Sequence, residues 1–232
     1  MKIDRAYIIT TSSLISKQYA DICESSCKKV GIPSYKFAGI EGESCYNAWS
    51  NHGLDIKQGS MDHRKAQTHI DPAACCSVSH ALIWKEISTQ TSASIILEHD
   101  AIMLHNIDMD IPDGAIIVLG YKLIDPTRYD HLAAGPPTTF TSIYSHHGAH
   151  GYAITPNTAR MLLEELKVEG GGGPVDNRFF LRDSRSFRTK VPLKIADPIA
   201  ALGWIRETTI WESVSENTDS QTIYSFHSNL RK

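Results

Sequence analysis

The sequence has no stretch that could cross a membrane, because nowhere in its 232 residues do eighteen apolar residues follow one another. The apolar run at positions 6–9 is too short for a signal peptide. Low-complexity tracts are also missing, and 41% hydrophobic and 21% charged residues are ordinary values for a globular protein. We therefore expect a cytoplasmic protein without a membrane span, built as a single domain over residues 1–232.

An excess of positive charge is missing as well. The formal net charge is −3 at pH 7, from 23 Lys and Arg against 26 Asp and Glu. Proteins that bind nucleic acid without sequence preference have a positively charged surface, so strong non-specific nucleic-acid binding is not expected. A nucleotide-sized ligand is compatible with this charge, since it requires only local contacts.

The cysteines do not suggest a disulfide framework. There are five, an odd number, and Cys75 and Cys76 are adjacent. This pattern favours free thiols in a reducing compartment. Cys23 and Cys27 could share a helix face as metal ligands, but no matching second pair exists, which disfavours a zinc site there.

Alternating strand and helix signals open the chain. Residues 6–9 and 34–38 are β-favouring runs, and the hydroxyl cluster at 10–13 supplies caps for a helix between them. A strand–helix–strand unit predicts an α/β fold with a mostly parallel sheet flanked by helices. The residues expected to form the apolar face of that helix are Ile15, Tyr19, Ile22 and Val30.

The later segments carry weaker signals. Polar residues without periodicity predict irregular stretches at about 39–70 and 183–232. A second helix is predicted to begin near Ser77. A third is predicted to be capped by Thr155, with Pro156 in its first turn.

The most informative stretch is 94–104. Three apolar residues at 95–97 lead directly into Glu98, His99 and Asp100, after which apolar residues resume. Such a run predicts a strand buried on both faces near the centre of a sheet. Carboxylates at its end fall in the crevice where open α/β sheets bind ligands, and spaced acids can hold a divalent cation that binds phosphate. An ordinary acidic turn after a strand is the alternative.

Several short motifs follow one another along the chain: Cys76-Ser-Val-Ser-His80, Trp84-Lys85, Ile95-Ile-Leu-Glu-His-Asp100, Val118-Leu-Gly-Tyr121, Gly148-Ala-His-Gly-Tyr-Ala-Ile-Thr155 and Pro174-Val-Asp-Asn177. In this order they resemble glycosyltransferase family 25, the lipooligosaccharide-type and collagen-type sugar transferases. The resemblance covers roughly residues 1–215. It implies a GT-A-like, Rossmann-like fold and inverting, metal-dependent transfer of a sugar from a nucleoside diphosphate sugar, expected to be UDP-linked, to a hydroxyl acceptor. That acceptor could be a glycan, a protein or a modified nucleobase.

The resemblance also implies a metal site for Mn²⁺ or Mg²⁺. Asp100 is expected to bind the metal directly, and Glu98 to bind it through water or to contact the ribose. His99 stands where the family has its central acid, and it could add a nitrogen ligand that favours Mn²⁺ or point into the sheet instead. His150 matches a family position and is a further candidate ligand.

Other residues are expected to bind the donor or to act on the acceptor. Asp176, in the Pro-Val-Asp motif, is the candidate base or acceptor contact, with a helix N-cap as its alternative role. Backbone amides at the start of a helix favour phosphate, which would place Ser79 and His80 near the diphosphate, although His80 could equally be a core residue. The expected nucleotide-sugar contacts are Thr10, Thr11, Ser79, His80, Glu98 and Arg206.

Two other functional classes fit the same residues. His99, and the absence of the arginines that the family carries after its first strand, would suit a degenerate transferase that binds a nucleotide or glycan without turnover. Glu98, Asp100 and the histidines could also serve a metal-dependent hydrolase. Acceptor-dependent transfer of the donor sugar distinguishes the transferase from both.

Overall fold

The computed structural model describes residues 1–54, 69–103, 106–107, 109–119, 122–123, 138–139, 146–147, 149, 151–169, 175, 193–195, 202–204 and 224–225. The helices in these residues are α1 (Leu14–Lys29), α2 (Cys45–Asn51), α3 (Pro72–Ile87) and α4 (Pro156–Glu169). The strands are β1 (Ile3–Thr10), β2 (Ser34–Ala38), β3 (Ala93–Glu98), β4 (Ala101–Met103), β5 (Ile116–Val118), β6 (Lys122–Leu123), β7 (Thr138–Thr139), β8 (His146–His147), β9 (Gly151–Ile154), β10 (Leu193–Ile195), β11 (Leu202–Trp204) and β12 (Tyr224–Ser225).

Seven strands form one sheet in the order β2–β1–β3–β9–β5–β10–β7. β1 is parallel to both β2 and β3, and β5 is parallel to β10. β9 lies antiparallel between β3 and β5, and β7 is antiparallel at the edge. Most strands therefore run in one direction, which confirms the predicted α/β fold with a mostly parallel sheet. Smaller sheets pair β4 with β11, and β6 with β8 and β12.

Strand β3 is the central strand that the apolar run predicted. It pairs with β1 on one side and β9 on the other, and all its residues are buried. Its side chains alternate between two cores, with Ile96 on the face covered by α3 and α4, and Ile95 and Leu97 on the face covered by α1. By the same alternation Glu98 is directed to the α3 face.

Helix α1 begins where the hydroxyl cluster predicted but buries a different face. The Ser13 hydroxyl accepts a hydrogen bond from the Ser16 amide and caps the helix. The predicted apolar face was wrong, because Ile15 and Ile22 are each 46% exposed. Small side chains face the sheet instead and allow the helix backbone to approach it closely. The buried residues of the helix are Ser16, Ala20, Cys23, Ser26 and Cys27.

Helix α3 begins earlier than predicted. The Asp71 carboxylate accepts hydrogen bonds from the amides of Ala73 and Ala74, and Pro72 occupies the first helical position, where its missing N–H costs nothing. The expected start near Ser77 was therefore wrong. The irregular stretch expected at 39–70 also contains a helix, α2, capped by Ser44.

Helix α4 agrees with its prediction. The Thr155 hydroxyl accepts a hydrogen bond from the Thr158 amide, and Pro156 is the first helical residue. Within the expected irregular segment 183–232, the described residues form β10, β11 and β12. None of the helices described is both long and apolar enough to span a membrane.

Candidate functional site

A cavity of about 290 Å³ lies at the carboxyl ends of β1 and β3. Ile9 pairs with Glu98 across these parallel strands, so the residues that follow the two strand ends share one edge of the sheet. The first turns of α3 line the cavity as well, because this helix runs back toward the start of β3 and places its N-terminal half at the same edge. The polar and thiol-bearing lining residues are Thr11, Ser13, Glu41, Cys75, Cys76, Ser79, His80, Glu98 and His99.

Five residues proposed from the sequence meet at this cavity: Thr11, Ser79, His80, Glu98 and His99. They come from three separate segments, which are the end of β1, the middle of α3 and the end of β3. The parallel pairing of β1 with β3 brings these segments together. Ligand sites in open α/β sheets lie at the carboxyl ends of the strands, which is where these residues meet.

The Ser79 hydroxyl joins α3 to the loop after β2. It donates to the Cys75 carbonyl at 2.7 Å and accepts from the Ile40 amide at 2.8 Å. A Cβ on the adjacent Gly39 would lie 3.2 Å from Ile9 Cγ2 and 3.3 Å from the Thr10 carbonyl, so a larger residue would require these neighbours to shift by a few tenths of an ångström. Ser79 lies well inside the helix, and the end amides are capped by Asp71. The expected reason for phosphate binding by Ser79 and His80, their place at a helix start, was therefore wrong, and their contact with a donor stays a prediction.

His80 is fully buried and is held by β9. Its Nδ1 lies 2.8 Å from the Tyr152 hydroxyl oxygen, which also accepts a hydrogen bond from Trp84 Nε1 at 2.7 Å. The His80 and Tyr152 rings are stacked, with their centroids 5.7 Å apart. His80 is thus both a core residue, as the alternative had it, and a cavity residue, because its other ring nitrogen faces the cavity side.

Cys76, His80 and Glu98 form a cluster that the sequence reasoning did not recognise. One ligand atom from each, a thiol sulfur, an imidazole nitrogen and a carboxylate oxygen, lies within 4.8 Å of the other two. Cys76 and His80 are four residues apart on α3, a spacing that places them on one helix face. This spacing was visible in the sequence, but the third member, Glu98, comes from a different element.

His99 lines the cavity and stacks on Tyr19 of α1, with ring centroids 6.2 Å apart. Burial lowers the pKa of His99, and the neighbouring Glu98 carboxylate opposes this only in part. The imidazole is therefore neutral near pH 7 and retains a lone pair. Metal ligation by His99 stays a prediction.

Asp100 is placed differently from Glu98. It is fully buried and is not among the cavity-lining residues. Its charge acts on the α1 side: the pKa of Cys23 is raised mainly by the hydrogen bond with Cys27 and by burial, and Asp100 adds to this effect. The structure therefore separates the two acids that the sequence grouped, and direct metal binding by Asp100 stays a prediction.

The loop after β1 is held by an acidic side chain. The amide and hydroxyl of Ser12 both donate to the Glu41 carboxylate. Thr11 lines the cavity, whereas Thr10 does not, and the Thr10 hydroxyl donates to the Thr11 carbonyl at 3.2 Å. The Ser12 N–H therefore already donates to Glu41 and is not available to an anionic ligand.

The cavity is acidic. Glu41 and Glu98 both line it, and the lining residues that the structure describes include no lysine or arginine. Like charges repel strongly where water is partly excluded. A negatively charged diphosphate would therefore enter only if a cation, or basic side chains from elsewhere in the chain, offset the charges of these two carboxylates.

Three proposed site residues, His150, Asp176 and Arg206, lie outside the described residues. Their roles stay predictions.

No protein-family model matches the sequence, and no curated protein matches it. Three solved structures that resemble the fold are glycosyltransferases. GlyE from Streptococcus pneumoniae, in its apo form, has a TM-score of 0.36 and 9% identity over 71% of this chain and 37% of its own. A mutant β1,4-galactosyltransferase 7 from Drosophila, in complex with manganese, UDP-Gal and xylobiose, has a TM-score of 0.42 and 9% identity over 99% of this chain and 80% of its own.

A third similar structure is the galactosyltransferase LgtC in complex with donor and acceptor sugar analogs, with a TM-score of 0.37 and 11% identity over 72% of this chain and 63% of its own. This chain thus spans little more than a third of GlyE and less than two thirds of LgtC.

Proposed function

We propose that this protein is a family 25-like inverting glycosyltransferase that moves a sugar from a UDP-linked donor to a hydroxyl acceptor with the help of a divalent metal. The main support is the convergence of Thr11, Ser79, His80, Glu98 and His99 on one cavity at the carboxyl ends of the sheet. Ser79, His80, Glu98 and His99 lie in the motifs that resemble the family, and Thr11 stands where the family carries other residues after its first strand. The five residues come from three separate segments of the sequence.

The acidic lining supports the metal requirement. Glu41 and Glu98 would repel a diphosphate, and a bound Mn²⁺ or Mg²⁺ ion would offset their two negative charges. The available donor atoms fit such an ion, because Glu98 offers a carboxylate at the cavity and His99 a neutral imidazole. We propose Glu98 and Asp100 as metal ligands, with His99 and His150 as further candidates. When bound, the ion neutralises the charge that develops on the leaving diphosphate.

The chain itself must also position the two substrates and remove a proton. We propose that Asp176 takes the proton from the acceptor hydroxyl as that oxygen attacks the anomeric carbon. Inversion requires a single displacement and a single base. Thr10, Thr11 and Arg206 are proposed to contact the donor, and holding both substrates in line accounts for a large part of the rate. The acceptor is a glycan, a protein or a modified nucleobase.

Calorimetric titration with UDP, with and without Mn²⁺, tests the donor site. We expect binding only with the metal. Nucleotide sugars that bind will also raise the thermal unfolding temperature in the presence of Mn²⁺. A sugar identified in this way is then offered with candidate acceptors, and the appearance of UDP and a glycosylated product is measured. UDP binding that is equally tight without metal would contradict the proposed donor site.

A binding module without turnover is the second candidate, and His99 favours it. A neutral imidazole occupies the place of the family's central acid and carries no charge to offset that of a cation. This candidate predicts metal-dependent UDP binding with neither transfer nor donor hydrolysis. Release of phosphate from ester substrates without an acceptor would instead indicate a metal-dependent hydrolase.

A further inference from the structure

The cluster of Cys76, His80 and Glu98 has the composition of a transition-metal site. We propose that these three side chains bind a Zn²⁺ ion, with the fourth coordination position open to the cavity. The inference goes beyond the proposed sugar transfer, because it concerns an ion that the chain binds by itself, without a nucleotide. It assigns Glu98 to Zn²⁺ in place of the Mn²⁺ or Mg²⁺ proposed for the donor.

The spacing of the donor atoms supports a single shared ion. The three atoms lie within 4.8 Å of one another, and His80 Nε2 is 3.9 Å from a Glu98 oxygen. Tetrahedral zinc bonds place neighbouring ligand atoms roughly 3.3–3.6 Å apart. Side-chain adjustments of about 1 Å or less would therefore close the site around an ion. The two elements that carry the ligands are already fixed, since α3 packs on the buried strand β3.

The orientation of His80 is a second, independent observation. The residue is fully buried, and among the described residues Nε2 has no hydrogen-bond partner. A buried polar atom of this kind is costly to leave unsatisfied. The distance of 3.9 Å to Glu98 is too long for a hydrogen bond but allows an ion to lie between the two groups.

Tyr152 supplies the contact that zinc-binding histidines usually have at their other nitrogen. If His80 Nδ1 carries the ring proton and donates it to the Tyr152 oxygen at 2.8 Å, the lone pair of Nε2 is directed at the cluster. The phenol oxygen has two lone pairs, so it can accept from both His80 and Trp84. The ring is thereby held in one orientation.

The ligand types select the metal. A thiolate and an imidazole are ligands of Zn²⁺, whereas Mg²⁺ prefers oxygen ligands. Binding requires the Cys76 thiol to lose its proton to solvent, so one proton is released when the Zn–S bond forms. No redox step is involved. Three protein ligands with an open position are typical of zinc sites that take water or a substrate atom as the fourth ligand.

Metal titration of the full-length, reduced chain tests the proposal. Zn²⁺ affinity is measured by competition with a chromophoric chelator, and Co²⁺ is added separately because a Co²⁺–thiolate bond gives a charge-transfer absorption in the near ultraviolet. We expect one Zn²⁺ per chain and the charge-transfer band with Co²⁺. Cys76→Ser should abolish the band, and Glu98→Gln should weaken Zn²⁺ binding about 100-fold or more, since even a partner that only orients a ligand costs about 10–100-fold.

Cys75→Ser is the matched control. Its thiol is adjacent in sequence but donates to the Glu43 carbonyl at 3.5 Å rather than joining the cluster. This variant should keep the Co²⁺ band and the Zn²⁺ affinity. A band that persists in Cys76→Ser, or that is lost in Cys75→Ser, would overturn the assignment. The same holds if the native chain shows no thiolate band at all.

Alkylation of the native protein keeps the proposal testable if the variants do not fold. Cys76 is partly exposed and lines the cavity, so iodoacetamide should modify it, with the site identified by mass spectrometry. Zn²⁺ should protect Cys76 because the metal-bound sulfur is no longer available. Equal labelling with and without Zn²⁺ refutes the zinc site. Neither measurement involves a nucleotide sugar, so failure of the zinc site and failure of the proposed transferase are separate results.

Discussion

His80 Nδ1 lies 2.8 Å from the hydroxyl oxygen of Tyr152, which joins helix α3 to strand β9 across the core. The same oxygen accepts the indole N–H of Trp84 at 2.7 Å. One phenol group therefore contacts two buried nitrogens from successive turns of α3. These contacts hold the helix in the orientation in which one of its faces lines the cavity. The arrangement has measurable consequences for stability.

Tyr152→Phe should lower the free energy of unfolding by about 1–3 kcal/mol. The substitution keeps the ring but removes the oxygen that accepts from the buried Trp84 N–H and contacts His80 Nδ1. Urea denaturation measures the loss. Tyr35→Phe is the control, because Tyr35 is 54% exposed and its change should stay within about 0.5 kcal/mol. Equal effects of the two substitutions would show that the buried hydroxyl contributes nothing.

The sequence predicted the elements whose signals are local and strong. The apolar run ending at Glu98 predicted a buried central strand, and the strand–helix–strand start of the chain predicted a mostly parallel sheet. The pairing of β1 with β3, which brings Thr11, Glu98 and His99 to one cavity, was not predicted. The N-cap of α4 at Thr155 was likewise predicted, because capping depends on a few adjacent residues.

Features that depend on tertiary packing were not predictable in the same way. Ile15 and Ile22 gave the more obvious apolar spacing in α1, yet the small residues Ala20 and Cys23 face the sheet because they permit closer packing. The contact between His80 and Tyr152 joins residues 72 positions apart, and no periodicity reveals it.

Ser79→Ala should also reduce stability, by about 1–2 kcal/mol, because the Ile40 amide loses its acceptor. Ser25→Ala is the matched control. Its exposed hydroxyl donates to the carbonyl four residues earlier, as that of Ser79 does, but it supports no loop. Denaturation curves and UDP titrations of both variants are compared. A Ser79→Ala protein of native stability that binds UDP poorly would mean that the hydroxyl contacts the donor instead of fixing the loop.

Alkaline pH should destabilise the protein partly through Cys45. Burial, followed by the charges of Asp71 and Cys75, raises the pKa of this thiol from its ordinary value of 9.0 to about 11. Between these two values the unfolded chain ionises first and holds fewer protons than the folded chain, so stability falls as pH rises. The contribution lost by pH 11 is about 2 kcal/mol.

Cys45→Ala removes the titrating group and should flatten the dependence of unfolding free energy on pH between about 9 and 11. Urea denaturation at several pH values measures both proteins. The comparison depends only on the difference in slope, so any constant cost of the smaller side chain cancels. Parallel curves for the two proteins would mean that the thiol ionises equally easily in the folded and unfolded states.

Removal of the proposed metal ligands should affect donor binding. We expect Asp100→Ala and Glu98→Gln each to abolish Mn²⁺-dependent binding of UDP, measured by calorimetry. Because Asp100 is fully buried, Asp100→Asn is added to remove the charge while it keeps the size of the side chain. Native UDP binding by Asp100→Asn, combined with its loss in Glu98→Gln, would remove Asp100 from the ligand set and leave the cavity-lining carboxylate as the metal contact.

Asp176→Asn separates chemistry from binding. If Asp176 is the base, the amide cannot accept the acceptor's proton, and transfer should fall by a factor of about 100 or more. Metal-dependent UDP binding should be nearly unchanged, because the donor contacts are proposed to come from other residues. Transfer rate and UDP affinity are measured on the same preparation, with circular dichroism as the check on folding. A full transfer rate would show that the base is another group, and a loss of UDP binding would place Asp176 at the donor instead.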